Sequence, residues 1–368
     1  MKLFQILIIF LNLMNVNALL NVIPHNSKHK LNIEKNTRFF KNVVLFEHEK
    51  KIDMSITPNI NNKNNKNNNN NSSPTKLQSF LKLMRVKSIP PTFLLCFSGG
   101  WIMNPSLPIL MKSIPFMVSI INTLLITSAS MVINDIYDIE IDRINSPHRP
   151  LVNGAVTIKE ACLLTLLLLG GTEYLTFRFL PFNLQMIIQL AIVQVLIYTP
   201  ILKRVFFIKN ISCAGLISFS IFFNGLASTG NTLLYTNKNF GLLAIALSFI
   251  FFGSLSNELI LDMRDIEGDN NNNIVTIPTL FGNDFSWLLV YTINNYNIIS
   301  NSLSMAYLYN SPIIGSVIVV ILSPLLLNLF KVKRDKYSLE SLKYYTQKSN
   351  YPLLALITYL CGLAYFFR

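Results

Sequence analysis

A chain of 368 residues that is 51% hydrophobic and only 13% charged, with a mean hydropathy of +0.43, is too apolar for an ordinary soluble domain. Its composition is that of a polytopic membrane protein. The net charge of +13 would suit a nucleic-acid binder in a soluble setting. Here the cations recur at the ends of alternate apolar stretches, so membrane topology accounts for them and no nucleic acid is implied as a partner.

Residues 1–18 carry a basic Lys2, the apolar run Leu3–Leu13 and the small-residue exit Val16-Asn17-Ala18. This pattern predicts a secretory signal peptide cleaved after Ala18, the run being short for a transmembrane helix. Residues 19–76 read as a transit-like leader. Their first part is polar and rich in Lys, Asn and His, and 59–71 is almost entirely Asn and Lys. Such a segment cannot bury enough apolar surface to fold. The combination resembles the two-part address of plastids acquired by secondary endosymbiosis, with a mitochondrial inner-membrane address as the alternative. The membrane domain is expected over 77–368.

From residue 89 onward, apolar stretches of about spanning length follow one another. They cover roughly 89–105, 113–134, 160–177, 182–200, 211–229, 240–262, 286–308, 311–330 and 351–367. An all-α protein with nine transmembrane helices around a central polar site is the expectation. The seventh stretch contains Asn294, Asn295, Asn297 and Asn301, so it faces other helices or is broken. Cations gather before the first stretch (Lys82, Arg85, Lys87) and after the second (Arg143, Arg149, Lys159), the fourth (Lys203, Arg204, Lys209) and the eighth. The other side carries little beyond Lys112, Arg178, Lys238 and Arg368. That asymmetry predicts nine crossings with the N-terminal flank on the basic side. Cys96, Cys162, Cys213 and Cys361 lie inside these stretches without paired spacing and read as small core residues.

Two carboxylate clusters end apolar runs, where a lipid-embedded chain tolerates charge least. The first is Asn134-Asp135-x-x-Asp138-x-x-x-Asp142, the second Asp262-x-x-Asp265-x-x-x-Asp269. On a continuous helix Asn134, Asp138 and Asp142 would line one stripe, and the second set a narrower one. Four crossings separate the two clusters, so both emerge on one membrane face together with the loop holding Tyr198, Lys203 and Arg204. Two facing ladders of acidic oxygens suit divalent cations carrying a diphosphate. Arg264 and Glu267 read as loop ion pairs, His148 as a loop residue. Glu258, one turn deeper than Asp262, is expected to make a helix-to-helix hydrogen bond, with a role near an acceptor as the alternative.

At these loops the sequence resembles the UbiA-type intramembrane prenyltransferase family. The run Asn134–Asp142 followed by Arg149-Pro150 meets the family's first signature. Asp262-Met-Arg-Asp265-Ile-Glu-Gly268-Asp269, then Thr276-Ile-Pro278 and Phe281-Gly282, is similar to the second. Tyr198–Lys203 resembles the family's tyrosine-to-lysine segment, and Asn210 matches a frequent asparagine after it. The resemblance covers roughly residues 80–368. The chain departs from it at Asn270, Asn273 and Val275, where relatives commonly carry Arg, Gly and Lys.

The resemblance implies a prenyl transfer dependent on Mg2+, held by Asp135, Asp138, Asp142, Asp262, Asp265 and Asp269. Asn134, Arg143, Arg149 and Lys203 are then expected to bind the prenyl diphosphate, and Lys203, Arg149 and Tyr198 to act in catalysis. The expected partners are a polyprenyl diphosphate donor, an aromatic acceptor of a prenylquinone pathway, and the lipid bilayer. A non-aromatic or tetrapyrrole acceptor (chlorophyllide, haem or a glycerol-linked lipid) is the alternative. A cation-coupled transporter is the reading from another class.

Overall fold

The computed structural model describes residues 75–229, 239–271 and 274–367. The signal peptide and almost all of the transit-like leader lie outside the described residues. Among these residues every regular element is helical.

The first helix, α1 (Lys76–Leu83), opens on a capping box in which Thr75 and Gln78 satisfy each other's backbone N–H groups. Lys76 pairs with Glu160 at 2.7 Å, and Leu83 packs with Val132, Val156 and Ala161. The chain then reverses through Arg85, held in the left-handed region (φ 49°), into α2 (Ile89–Met103). A short α3 (Leu107–Lys112) leads to α4 (Ile114–Tyr137), which is capped by Ser113 and carries Pro115 in its first turn, where a missing N–H costs nothing.

Helix α4 stops at Tyr137 and a separate α5 (Ile139–Asn145) follows, so the single ladder expected over Asn134–Asp142 is interrupted at Asp138 (φ −94°, ψ 5°). Spacing survives the break. Asp138 N donates to Asn134 O at 3.0 Å and Asp142 N to Asp138 O at 2.8 Å, keeping successive polar side chains about one turn apart. The physical reason is electrostatic. A helix C-terminus disfavours carboxylates, whereas restarting at Ile139 offers Asp138 the favourable N-terminal end of a new helix.

Two antiparallel helices, α6 (Ile158–Phe179) and α7 (Phe182–Tyr198), return the chain to the polar end. Thr157 and Glu160 form the capping box of α6. Next come α8 (Ile208–Ser228) and α9 (Asn239–Arg264). Asp265 separates α9 from α10 (Ile266–Asn271), the same interruption as in the first cluster. The remaining helices are α11 (Ile277–Leu308), α12 (Pro312–Arg334), α13 (Leu339–Lys348) and α14 (Asn350–Phe366).

Five of these helices are long and apolar enough to cross a membrane: α4, α6, α8, α9 and α12. The other expected stretches fall on α2, on α7, on α14 and on the part of α11 beyond Gly282, whose φ of +79° kinks that helix. Its buried asparagines do face neighbouring helices. Asn294 donates to the Tyr345 hydroxyl (3.2 Å) and Asn297 to the Phe249 carbonyl (3.2 Å), so each amide finds a partner where water is excluded.

Helix α8 is the pillar of the arrangement. On one side it joins α4 and α7 in a core built around Ile126, Ile188, Val195 and Phe223. On the other it joins α2, α9, α11, α12 and α14 around Ile221, Leu243, Phe249, Leu322 and Leu360. Helices α2 and α8 cross so closely that a Cβ on Gly99 would overlap the Ile221 carbonyl. Small residues permit such contact where lipid supplies no hydrophobic drive for helix association.

Candidate functional site

The polar site forms where α4, α8 and α9 meet at one end of the bundle. In the first cluster, Asp135 and Asp142 are buried, and Arg149 draws them together. Its Nη1 lies 2.9 Å from Asp135 Oδ1 and 2.5 Å from Asp142 Oδ2. Arg85, fifty residues upstream, adds a second guanidinium contact to Asp135 Oδ1 at 2.9 Å. Lys203 Nζ lies 2.5 Å from Asp138 Oδ2 and donates to Asn134 Oδ1 at 3.1 Å. Each of these cations offsets negative charge at the unfavourable end of α4.

The second cluster is served by the same connecting segment. Only six residues after Lys203, Lys209 pairs with buried Asp262 at 2.8 Å, and Asn210 donates to its other oxygen at 2.9 Å. The stretch 203–210 thus reaches both acidic clusters, which are themselves more than a hundred residues apart in sequence. Asp265 is exposed and held by its neighbour Arg264 at 2.7 Å. Asp269 keeps Oδ2 buried without a hydrogen-bond partner.

Burial pushes the Asp142 carboxyl above the usual carboxylate range. Arg149 opposes that shift, and neighbouring Asp135 and Asp138 reinforce it. Asp269 moves the same way, mainly by burial, with Lys209 opposing and Asp262 and Asp265 reinforcing. Burial makes the charged form of both groups costly, and a further cation beside them would favour it.

The donor set fits a hard divalent ion: carboxylate oxygens throughout, one of them an orphan. Among the described residues, no three acidic, His or Cys side chains converge into a ready cage. That matches the habit of magnesium, which takes one or two carboxylates and completes its shell with water and substrate oxygens.

Beneath the first cluster runs a cavity of about 390 Å³. Arg85, Asn134 and Lys203 line its polar end, and Ile126, Val195 and Phe219 are among its apolar walls. Tyr198 also lines it, and Glu258 borders its inner reach. The site thus joins a charged mouth to a largely apolar chamber, an arrangement suited to a ligand with an anionic head and a hydrocarbon tail.

Of the residues expected from sequence, Asn134, Asp135, Asp138, Asp142, Arg149 and Lys203 come together directly. Tyr198 lines the adjoining cavity, while Asp262 and Asp269 belong to the second cluster. Arg143 stands apart: its side chain is 61% exposed and pairs with Glu140 at 2.9 Å. Asn270 is exposed, and Arg264 makes the loop ion pair expected of it. Glu258 Oε1 accepts from Cys213 Sγ at 3.3 Å, linking α9 to α8. Arg85 and Lys209 were legible only as topology-setting cations, since nothing local to either signals a distant aspartate.

A model of the UbiA prenyltransferase family matches residues 92–350. The digeranylgeranylglyceryl phosphate synthase of Sulfolobus acidocaldarius is 31% identical over 222 residues, covering 58% of this chain and 73% of that protein. The enzyme of the same name from Methanosphaera stadtmanae is 32% identical over 200 residues, covering 54% and 69%. A solved structure concerning digeranylgeranylglyceryl phosphate synthase in membranes shares the fold with a TM-score of 0.62 at 20% identity, over 78% of this chain and 98% of that one. A UbiA homologue from Archaeoglobus fulgidus bound to GPP and Mg2+ gives 0.55 at 17%, over 78% and 99%.

These relatives correct the acceptor. The expected aromatic head group of a prenylquinone pathway gives way, because the similar enzymes are named for a glycerol-linked lipid product. The motifs could not have decided this. They gather acidic and basic side chains at the charged mouth, a pattern that suits a diphosphate and carries no mark of the acceptor. The transporter reading falls as well, and archaeal relatives lend no support to a plastid address. With the family model spanning most of its length, the chain belongs to the UbiA prenyltransferase family and is a multi-pass membrane enzyme that transfers prenyl groups from a diphosphate donor.

Proposed function

We propose that the enzyme transfers an isoprenyl group from a polyprenyl diphosphate to a hydroxyl of a glycerol-linked lipid phosphate, in the manner of the synthases it resembles. The single observation that carries the site is the segment 203–210, which reaches both aspartate clusters above a largely apolar chamber. The choice of acceptor draws on the relatives named above.

Asp135, Asp138, Asp142, Asp262, Asp265 and Asp269 are the candidates to hold magnesium. When bound, the metal would neutralise the diphosphate and act as a Lewis acid on its departing oxygen. Arg149 and Lys203 then donate to diphosphate oxygens as charge develops on the leaving group, a role Arg85 can share. Asn134 orients Lys203 through its amide oxygen. Tyr198 presents an electron-rich ring to the chamber in which an allylic cation would form. The apolar walls keep water from capturing that cation. Arg143, exposed and paired with Glu140, takes no part.

Nine crossings remain our reading of the topology. Support comes from the asymmetric cations and from nine helices of 15 residues or more among the described residues: α2, α4, α6–α9, α11, α12 and α14. An organellar destination rests on residues 1–76 alone.

Purified protein in detergent, given geranylgeranyl diphosphate and a panel of acceptors, tests the reaction by mass of the product. Coupling to geranylgeranylglyceryl phosphate is expected. Coupling to hydroxybenzoate, homogentisate or a tetrapyrrole instead would refute the acceptor assignment.

A further inference from the structure

The cations of this chain divide into two groups. Many of those in the earlier loops are matched by acids: Arg85 and Arg149 by Asp135, Lys203 by Asp138, Lys209 by Asp262, and Arg143 by Glu140. The segment 331–348, from the end of α12 to the end of α13, is different. It holds six cations, Lys331, Lys333, Arg334, Lys336, Lys343 and Lys348, against two acids, Asp335 and Glu340, an excess of four positive charges. All six cations are exposed. Among the described residues only Arg334 of the six pairs with an acid, Asp335 at 3.4 Å. Asp284, a third carboxylate beside this segment, accepts a hydrogen bond from the Tyr337 hydroxyl. The C-terminus of α12 carries about half a negative charge, which offsets only a fraction of the excess.

Aromatic rings hold these lysines in place. Lys331 Nζ lies 4.2 Å from the centre of the Tyr344 ring and Lys348 Nζ 5.8 Å from the same centre, so one ring draws together two ammonium groups that no acid serves. Lys348 also lies 5.3 Å from the centre of the Tyr351 ring. Contact with a ring relieves part of each charge and still leaves N–H donors for an anion. Helix α13 turns Ser341, Leu342 and Tyr345 inward and leaves Lys343, Tyr344 and Lys348 outside.

The patch is continuous with a lipid-facing surface. Helix α12 is long and apolar enough to cross a membrane, and Val320, Leu327 and Lys331 share one of its faces. Val320 and Leu327 are 72% and 68% exposed. Back from Lys331 to Val320 that stripe runs about 16 Å. Cations gathered directly beyond a transmembrane helix attract anionic lipid.

We propose that the end of α12 and the outer face of α13 form a binding site for an anionic membrane phospholipid, with its phosphate on Lys331 and Lys348 beside Tyr344 and an acyl chain along the stripe from Leu327 to Val320. Such a lipid uses both halves of the surface. A free phosphate would use only the cations, and a choline lipid would bring a like charge against them. Bound there, the lipid links α12 to α13. It takes no part in prenyl transfer, and the site stands whatever the acceptor of that reaction is.

Purified full-length protein in detergent, titrated with phosphatidylglycerol or with phosphatidylcholine of the same chains and read by native mass spectrometry, supplies the test. With two lysines at the phosphate, phosphatidylglycerol is expected to bind about tenfold or more tighter than phosphatidylcholine. Lys331→Gln combined with Lys348→Gln should remove most of that preference, while Lys159→Gln, an exposed cation at the start of α6, should leave it unchanged. Inorganic phosphate in large excess should not displace the bound phosphatidylglycerol. Equal binding of the two lipids by wild type, an undiminished preference in the double variant, or displacement by inorganic phosphate each overturns the proposal. Should the double variant fail to fold, wild-type protein photolysed with a phosphatidylglycerol bearing a diazirine in its chain gives an independent answer. Adducts on 320–331 that unlabelled phosphatidylglycerol suppresses are expected, and adducts confined to other helices overturn the assignment.

Discussion

Replacing Arg149 by alanine removes a side chain that joins two buried carboxylates. Its Nη1 lies within 2.9 Å of Asp135 and 2.5 Å of Asp142, whose side chains are 5% and 8% exposed. Breaking a buried ion pair from one side costs about 3–5 kcal/mol, because the surviving charge is left desolvated. Two features reduce that here. Arg149 itself is 27% exposed, and Asp135 retains Arg85 at 2.9 Å. A loss of about 2–3 kcal/mol is the resulting expectation. With about 2.1 cal/mol/K of unfolding entropy per residue, a chain of this size would fall by roughly 3–5 °C in Tm. Thermal unfolding in detergent, followed by tryptophan fluorescence with chelator present, measures it. Arg143→Ala is the control, since its pair with Glu140 is solvent-exposed on both sides and should leave Tm nearly unchanged. Adding Mg2+ should recover more stability in Arg149→Ala than in wild type, because the freed carboxylates bind the ion more tightly and ligand binding to the folded state stabilises it. Equal Tm values for the two alanine variants would refute the view that Arg149 holds the first cluster together.

Activity should vanish with chelator and return with Mg2+, and Asp138→Asn and Asp265→Asn should each cost several orders of magnitude in kcat, measured by diphosphate release. Near-wild-type turnover in either would remove the two-cluster site. Lys203→Ala, which takes away the cation on Asp138 and Asn134, should lose about 10²-fold or more in rate at saturating substrates. The exposed Asn270→Ala should be nearly silent in the same assay. The reverse ranking would mean that phosphate recognition lies in the asparagine loop.

Hydrophobic runs, capping residues and acidic motifs are local properties, and the sequence by itself determined what depends on them. The apolar stretches read over 113–134 and 160–177 each lie on one helix, and so does the run ending at Asp262. Both clusters were legible because the cost of charge beside an apolar run does not depend on the rest of the fold. The helix breaks at Asp138 and Asp265 were not, since periodicity alone continues through them and only the electrostatics of the helix ends opposes it. Nor could sequence say which cation serves which acid. Arg143 lies next to Asp142 in the chain yet turns out to Glu140, while Arg85 arrives from fifty residues away to meet Asp135. The division of 203–210 between the two clusters is equally a product of packing. A charge finds its partner through space, and the distances that decide between partners exist only once the helices around α8 have closed.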